Sequence, residues 1–315
     1  MKIVVESNCL NNQNDTSLIP LLRPILEKLV HDAGLDTLDY FVIADSDDAK
    51  YCNSVKKYAS TIGTEACVTQ DGKYSAAGKT LNSVDEASRL HQAIIIKSDI
   101  WEIAAIECAK QLNLLPKGAK VETPKNIGAI SLIFHEFGHA IDDRNQFKIW
   151  GTINEKIQYD LTHEYDEYIN QTALSLWGEY FAESFAWKHN FTGRHSTIGS
   201  EKNLIDCIKT YSLGIQNSYI LERVYRILYY SMLRLASLHQ QANINDGDGF
   251  DALQQNPVAV EYTPLFLRVE RVIKELNRDY PEWDSYARLN DFSQLIKDFL
   301  CFERKRQWRI KMLGR

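Results

Sequence analysis

Two histidines and a glutamate between residues 135 and 139 have the spacing of a metal-dependent hydrolase. The residues are His135, Glu136 and His139, in the order HExxH. Side chains four residues apart lie on one face of a helix, so both imidazoles can bind one zinc ion at about 2.0–2.1 Å. Glu136 would then reach a water on that ion and accept its proton as the water attacks a carbonyl. The pattern therefore predicts Zn²⁺ as the cofactor and hydrolysis as the chemistry.

A catalytic zinc also needs a third protein ligand and a position left open for water. The segment after His139 reads AIDDRN, so no third histidine follows at the HExxHxxGxxH spacing. Glu179 comes 40 residues after His139, and Glu183 stands four residues further along, on the same helical face. We predict that Glu179 binds the ion and that Glu183 accepts a hydrogen bond from a ligand histidine.

Other residues are alternatives for these two roles. Asp142 is a second candidate for the acid that supports a ligand histidine. His163 and Glu164 are further candidates for the third ligand.

The helix that carries the two histidines is predicted from apolar residues at 3-4-3-4 spacing. These residues would form one buried face: Ile127, Ile130, Phe134, Phe137 and Ile141. A different side of the same helix would carry Ser131, His135, Gly138, His139 and Asp142. The capping hydroxyl of Thr123 followed by Pro124 predicts where the helix begins.

The rest of the chain predicts an α+β protein with a small mixed sheet followed by a mainly helical lobe. Strands are expected at 40–44, 66–69 and 93–97, with a turn at 71–73. Helices are expected over 101–114, ended by Pro116 and Gly118, and over 221–235, 258–277 and 285–308, with a loop at 243–249. We divide the chain into an α+β part with the sheet and an edge strand (1–120), the metal-binding helices (121–200) and a helical part (201–315), which together form one catalytic unit.

Composition and charge argue against several other classes of protein. The 315 residues carry a net charge of -6, with 44% hydrophobic and 25% charged residues, which is typical of a globular chain and not of a nucleic-acid binder. No run approaches the roughly 18 apolar residues of a membrane span. The apolar run among the first eight residues is too short for a signal peptide. We therefore expect no nucleic-acid or membrane partner and a cytoplasmic location, with secretion by a non-classical route left open.

Two further features of the sequence give weaker expectations. The six cysteines are scattered, which predicts reduced, mostly buried thiols rather than a disulfide framework. The basic segment 303–311 predicts the solvated face of a last helix, with a docking site for an acidic partner as the alternative.

The strings HEFGHAIDD at 135–143 and EYFAESFA at 179–186 resemble the gluzincin metallopeptidases, and among them the anthrax lethal factor type. The resemblance extends over residues 127–189. It implies that His135, His139 and Glu179 are metal ligands, that Glu136 is the general base and that Glu183 is the supporting acid. It also implies a zincin-like fold, in which an edge strand lies above the HExxH helix and binds peptides by strand addition. Residues 93–97 suit that strand.

The chain departs from this family at one position. The family has a tyrosine seven residues before the ligand glutamate, where it helps to stabilise the oxyanion, and here that residue is Thr172. The candidates for the missing role are Tyr165, Tyr168, Tyr229, Tyr230 and His239. The sequence does not choose among them.

Together these observations predict a zinc metallopeptidase that hydrolyses peptide bonds in a protein or peptide substrate. One alternative is a zincin-like binding or regulatory module whose zinc is structural or idle. An intact Glu136 argues against that alternative, because a structural site needs no such acid. A second alternative is a toxin-like or defence effector that cuts one specific protein. The sequence does not indicate the oligomeric state.

Overall fold

The computed structural model describes most of the chain in nine stretches. These are residues 1–6, 19–66, 77–114, 128–151, 164–193, 195, 199–213, 220–241 and 250–313. Several sequence predictions lie outside them: residues 67–69 of the strand predicted at 66–69, the turn at 71–73, Pro116, Gly118, the helix start at Thr123 and Pro124, Ile127, His163 and the loop at 243–249. Contacts divide the chain into two compact units, Met1–Glu155 with Phe185–Thr197 and Lys156–Ser184 with Ile198–Arg315.

The first unit combines a sheet with helices. Its strands are β1 (Lys2–Val5), β2 (Leu38–Ala44), β3 (Gly78–Val84) and β4 (Leu90–Lys97), and its helices are α1 (Ile19–Asp32), α2 (Asp48–Ile62), α3 (Ser98–Gln111) and α4 (Ala129–Trp150). The second unit is helical in the part that the structure describes. Its helices are α5 (Glu164–His189, up to Ser184), α6 (Glu201–Leu213), α7 (Ile220–His239), α8 (Asp251–Gln255), α9 (Thr263–Asp279) and α10 (Asn290–Leu313), with 3₁₀ turns at Val260–Tyr262 and Tyr286–Leu289. The predicted α+β class with a small mixed sheet is confirmed.

The sheet has the strand order β1-β2-β4-β3. Strands β1, β2 and β4 are parallel, and β3 runs antiparallel to β4. The predicted strands at 40–44 and 93–97 are confirmed as parts of β2 and β4. The prediction that residues 93–97 form the edge strand is wrong, because β4 lies between β2 and β3. The continuous buried run of β4 is typical of an interior strand, whereas β3 is only partly buried and lies at the edge.

The two faces of the sheet bury different helices. On one face, Val42 and Ile95 pack with Tyr51 and Val55 of α2. On the other face, Phe41 supplies the contact to two helices. Its ring stacks on Phe137 of α4 with centroids 5.9 Å apart, and it lies 5.7 Å from the ring of Trp101 in α3. Helix α4 is thereby fixed against the middle of the sheet.

Helix α4 is buried on more sides than the sequence predicts. Its predicted apolar face is confirmed in the described residues: Ile130, Phe134, Phe137 and Ile141 are buried. However, Ser131, Gly138 and Asp142, which were assigned to the other side, are also buried. The reason is that α3, β3 and β4 all pack against this helix. A helix covered on several sides loses the single apolar stripe of a surface helix.

The second unit is built around aromatic side chains. The ring of Trp177 in α5 lies 5.0 Å from that of Tyr280 and 4.8 Å from that of Trp283. A second group joins Phe266 of α9 to Phe299 of α10 at 5.8 Å. The predicted helices over 221–235, 258–277 and 285–308 correspond to α7, α9 and α10, the last two of which begin later and extend further than predicted.

The basic end of α10 is only partly solvated. Arg304 and Lys305 are exposed, as expected for a solvated helix face. Arg306 is instead nearly buried, and its guanidinium lies 3.7 Å from the carboxylate of Glu261. Trp308 is 63% exposed. The sequence prediction therefore holds for the outer residues of this segment and fails for Arg306 and for Glu303, which is 1% exposed.

Two other expectations concern the cysteines and the membrane. Four cysteines lie within the described residues, all as thiols: Cys52, Cys108, Cys207 and Cys301. Burial raises the pKa of Cys108 and of Cys207 to about 12, so both are inert as nucleophiles at neutral pH. No helix in the described stretches is both long and apolar enough to cross a membrane.

Candidate metal centre

The two histidines of the HExxH sequence lie one turn apart on α4 and face each other. Their rings have centroids 4.7 Å apart at an interplanar angle of 82°. The Nε2 atom of His139 lies 3.1 Å from the Nε2 atom of His135. Two nitrogens bound to one tetrahedral zinc ion would lie about 3.3 Å apart, given zinc–nitrogen bonds of about 2.0–2.1 Å. The pair therefore has nearly the separation that a shared ion requires.

Glu179 on α5 completes this pair. One ligand atom each from His135, His139 and Glu179 lies within 4.8 Å of the other two. All three residues are half-buried. Among the described residues, no other set of three or more histidine, cysteine or acidic side chains meets this criterion. The two imidazoles and one carboxylate match the donor set of catalytic zinc sites, which keep a further position open for water.

Glu136, the predicted general base, lies against the edge strand β3. The Thr80 hydroxyl lies 2.8 Å from Glu136 Oε2 and 2.9 Å from the Glu136 carbonyl oxygen, and it can donate to either. Gly78, two residues earlier on the strand, has so little space that an added Cβ would lie 2.8 Å from Glu136 Cγ. The side chain of Glu136 is therefore bounded by two residues that share one face of β3.

The start of α4 depends on a buried acid from α3. Gly128 precedes the helix and has no side chain to cap it. Glu107, which is only 2% exposed, accepts a hydrogen bond from the Ile130 amide at a distance of 3.1 Å. The first amides of a helix lack partners within the helix, and a negative charge is favourable there. Glu107 thus fixes the first turn of the helix at Ile130, five residues before His135.

The negative charge of Glu179 acts on two tyrosines of α7. Burial raises the pKa of Tyr229 well above its ordinary value, and the negative charge of Glu179 raises it further. Burial also raises the pKa of Tyr225, again with a contribution from Glu179, while a hydrogen bond from Ser175 acts in the opposite direction. Both hydroxyls are therefore protonated and able to donate at neutral pH. Tyr229 is one of the predicted oxyanion candidates, and Tyr225 was not predicted.

The other oxyanion candidates have different surroundings. The Tyr180 hydroxyl forms a 2.7 Å hydrogen bond with Nδ1 of His239. Tyr168 is 50% exposed. The pKa of Tyr230 is raised by burial and by Cys207, with no contribution from Glu179. The side chain of Tyr165 lies outside the described residues, as does that of the alternative ligand Glu164.

Thr172 stands where the family resemblance places a tyrosine. Its side chain is buried, and its hydroxyl donates to the Tyr168 carbonyl one turn earlier at 2.8 Å. This bond satisfies the hydroxyl within α5 itself.

The two predicted supporting acids are both buried. Glu183 is 3% exposed, and its charge contributes to the raised pKa of Tyr229. Asp142 is 2% exposed, and its Oδ2 atom accepts a hydrogen bond from Gln146 Nε2 at 2.7 Å. Buried acids at these positions are compatible with the supporting role, which stays a prediction for each of them.

Three residues of functional interest were missed by sequence reasoning. Thr80, Glu107 and Tyr225 lie on other elements than the HExxH helix and reach the site region by tertiary contact. Only Tyr225 carried a signal, because it stands one helical turn before the candidate Tyr229. Thr80 and Glu107 stand in segments without a motif.

Comparison with known proteins adds no further information about the site. No protein-family model, curated protein or solved structure matches this chain. The likeness to gluzincins therefore depends on the two helical strings and on the geometry of their side chains.

Proposed function

We propose that this protein is a zinc-dependent metallopeptidase of the gluzincin type. One observation carries the proposal: the ligand atoms of His135, His139 and Glu179 lie within 4.8 Å of one another, and the HExxH sequence that supplies the histidines also supplies Glu136. A site that only binds a metal would require the three ligands and not Glu136. The adjacent acid favours hydrolysis, because it is the group that would take a proton from water.

The donor set supports zinc as the metal. Imidazole nitrogens and one carboxylate are typical ligands of catalytic zinc, whereas calcium and magnesium prefer oxygen ligands alone. A zinc ion held by these three residues would polarise the scissile carbonyl and lower the pKa of water toward about 7. The role of His135, His139 and Glu179 is to hold the ion in place, and they take no part in proton transfer.

The remaining chemistry falls to the chain's own side chains. The carboxylate of Glu136 accepts the proton of the attacking water and then delivers it to the leaving amine. Tyr229 and Tyr225, both protonated at neutral pH, are hydrogen-bond donors near Glu179 that could stabilise the developing oxyanion. Because the charge of Glu179 acts on Tyr229, this residue is the first choice among the five candidates that the sequence offered.

The edge strand supports a peptide as the substrate. Strand β3 ends the described sheet on one side and contacts Glu136 through Gly78 and Thr80. An extended peptide that added to this edge would pass close to the general base. An antiparallel edge strand beside the HExxH helix also supports the zincin-like fold that the resemblance implies.

The decisive experiment compares the wild-type protein with Glu136→Gln. Both proteins should contain one zinc ion per chain by elemental analysis, because Glu136 is not a ligand. Cleavage of a casein-like substrate should fall about 10²- to 10⁴-fold in Glu136→Gln, the range that general acid–base catalysis supplies. Equal cleavage by both proteins would overturn the assignment of Glu136 as the base.

The same pair of proteins separates the alternative functions. Newly formed N-termini would be compared across the proteome of cells that express wild type or Glu136→Gln. Many cleaved proteins indicate a general peptidase, and a single cleaved protein indicates a narrow effector. Stoichiometric zinc in both proteins with no difference in cut ends would overturn the proposed peptidase activity and favour the binding module.

A further inference from the structure

We propose that Thr80 is a positioning residue that holds the Glu136 carboxylate in its working orientation. This inference rests on the proposed peptidase function, and it assigns a role in that function to the edge strand. Glutamate has three rotatable side-chain bonds, so a general base of this type needs partners to fix it. Thr80 and Gly78 are two described residues that lie close to its side chain.

The contacts of Thr80 are direct. Its Oγ1 atom lies 2.8 Å from Oε2 of Glu136 and 2.9 Å from the carbonyl oxygen of the same residue. One hydroxyl thus reaches both the side chain and the backbone of the base. These distances are those of ordinary hydrogen bonds between a hydroxyl and oxygen acceptors.

The register of β3 explains why Thr80 reaches this position. Gly78, Thr80 and Asn82 alternate along the strand and share one face. Gly78 and Thr80 meet Glu136, and Asn82 donates to Asp143 Oδ2 at 2.6 Å, two helical turns further along α4. The strand therefore runs along the helix. The pairing of Thr80 with Ile94 of β4 fixes the position of Thr80 along the strand. This pairing places Thr80 beside Glu136.

Gly78 limits the other side of the carboxyl group. A Cβ at this position would lie 2.8 Å from Glu136 Cγ, 3.0 Å from Oε1 and 2.7 Å from the Ile96 side chain. Cβ atoms in proteins essentially never lie within 3.0 Å of such neighbours, so the contacts with Glu136 Cγ and Ile96 could not form without a shift. The absence of a side chain at Gly78 thus leaves room for Glu136 beneath the strand, and Thr80 then supplies the hydrogen bond.

A hydroxyl group suits a base that gains and loses a proton in each turnover. It can donate to a carboxylate, and after rotation it can accept from a carboxylic acid. A lysine in the same place could only donate, and it would favour the charged form. Thr80 can therefore hold Glu136 in both forms without competing for the proton.

The first test uses Thr80→Val and Thr80→Ser. Valine keeps the shape and loses the hydroxyl, whereas serine keeps the hydroxyl. For a casein-derived fluorogenic peptide, we expect kcat to fall about 10-fold or more in Thr80→Val with KM nearly unchanged, and Thr80→Ser to retain most of the wild-type kcat. Zinc content should equal that of wild type in both variants. A Thr80→Val enzyme with wild-type kcat would overturn the inference, and so would an equal loss in Thr80→Ser.

A second test does not need catalysis. Urea unfolding of wild type, Thr80→Val, Glu136→Ala and the double variant gives a double-mutant cycle. We expect the effects of the two substitutions on the unfolding equilibrium constant to be non-additive by about 5-fold or more, as for a hydrogen bond to a charged group. Additive effects, within about 2-fold, would overturn the contact.

The two tests separate this inference from the proposed function. If the wild-type chain and Glu136→Gln show the same cleavage, the peptidase proposal fails. The unfolding cycle would then still report whether Thr80 holds Glu136. If Glu136→Gln abolishes cleavage but Thr80→Val does not reduce it, the peptidase proposal stands and the role of Thr80 is wrong.

Discussion

The Nε2 atoms of His135 and His139 lie 3.1 Å apart on successive turns of α4. Two imidazole nitrogens at this distance, with a carboxylate oxygen of Glu179 within 4.8 Å of both, form a set of electron-pair donors directed at one small volume. The sequence distance between His139 and Glu179 is 40 residues, so helical spacing alone does not bring these two side chains together. A cation is the ligand that such a set of donors favours.

Replacement of any one ligand should therefore weaken zinc binding. We expect His139→Ala and Glu179→Gln each to lower zinc affinity by more than about 100-fold. The loss of a residue that only supports a ligand costs up to about 100-fold, and the loss of a ligand itself should cost more. The measurement is competition with a fluorescent zinc chelator. Glu167→Gln is the matched control on α5, because Glu167 is exposed and its Oε1 atom accepts a hydrogen bond from Gln171 Nε2 at 3.3 Å. A control that loses zinc as strongly as Glu179→Gln would contradict the ligand assignment.

Zinc should also stabilise the folded protein. A ligand that binds only the folded state adds about 2.7 kcal/mol at 100 times its Kd. We expect the thermal midpoint of the wild-type protein to fall by several degrees when zinc is removed with EDTA and to recover when zinc is added back. The Glu179→Gln variant should show a much smaller change, and equal shifts in both proteins would argue against this site.

Gly78→Ala tests the fit between β3 and Glu136. The added methyl would lie 2.7–2.8 Å from Ile96 and Glu136 side-chain atoms, so the strand or the glutamate must move. We expect a loss of about 1–3 kcal/mol of unfolding free energy, as for other overpacked sites, and a lower kcat. Lys79→Ala on the opposite face of β3 is the control and should change stability by less than about 0.5 kcal/mol. Urea unfolding and peptide hydrolysis measure the two effects.

The sequence predicted those parts of the site that depend on local periodicity. His135 and His139 lie on the same side of α4 because helices repeat every 3.6 residues, and the same rule placed Glu179 and Glu183 on one face. The buried strand at 93–97 was recognised from its continuous apolar run. Its place in the sheet was predicted wrongly, since strand order depends on contacts between distant segments.

The edge strand shows why the remainder could not be predicted. Its sequence is GKTLNSV, with a glycine, a lysine and an asparagine that are uncommon in strands. Strand β1 has only four residues, too few to show alternation. The contacts of Thr80 and Glu107 with α4 join residues 56 and 23 positions apart. No local pattern encodes such pairs.

Glu107 supplies a further prediction about the stability of the HExxH helix. Its carboxylate accepts a hydrogen bond from the Ile130 amide in a buried setting. Glu107→Ala removes the acceptor and leaves the amide unsatisfied, so we expect a loss of about 1–3 kcal/mol of unfolding free energy. Glu107→Gln keeps a carbonyl acceptor and should lose less. Amide hydrogen exchange at the start of α4 should rise in the alanine variant, and unchanged exchange there would contradict the capping role.

His91 links stability to pH, and it lies far in sequence from the proposed metal ligands. Its Nδ1 lies 2.8 Å from Asp39 Oδ2 and its Nε2 lies 3.2 Å from Asp85 Oδ2. These two hydrogen bonds raise the pKa of His91 above its usual 6.5, against the effect of burial, while Arg89 holds the pKa of Asp85 well below its usual range. Because the folded-state pKa is the higher one, the stabilisation is complete below about pH 6.5 and is lost as pH rises through the folded-state value.

The expected result is a difference between wild type and His91→Gln that depends on pH. Wild type should lose more unfolding free energy than the variant between pH 6 and pH 9, because only the wild-type imidazolium gives up its proton in this interval. Urea unfolding at both pH values measures the difference, and metal-free protein is used so that ligand protonation does not contribute. Parallel stability curves for the two proteins would mean that Asp39 and Asp85 do not stabilise the charged form of His91.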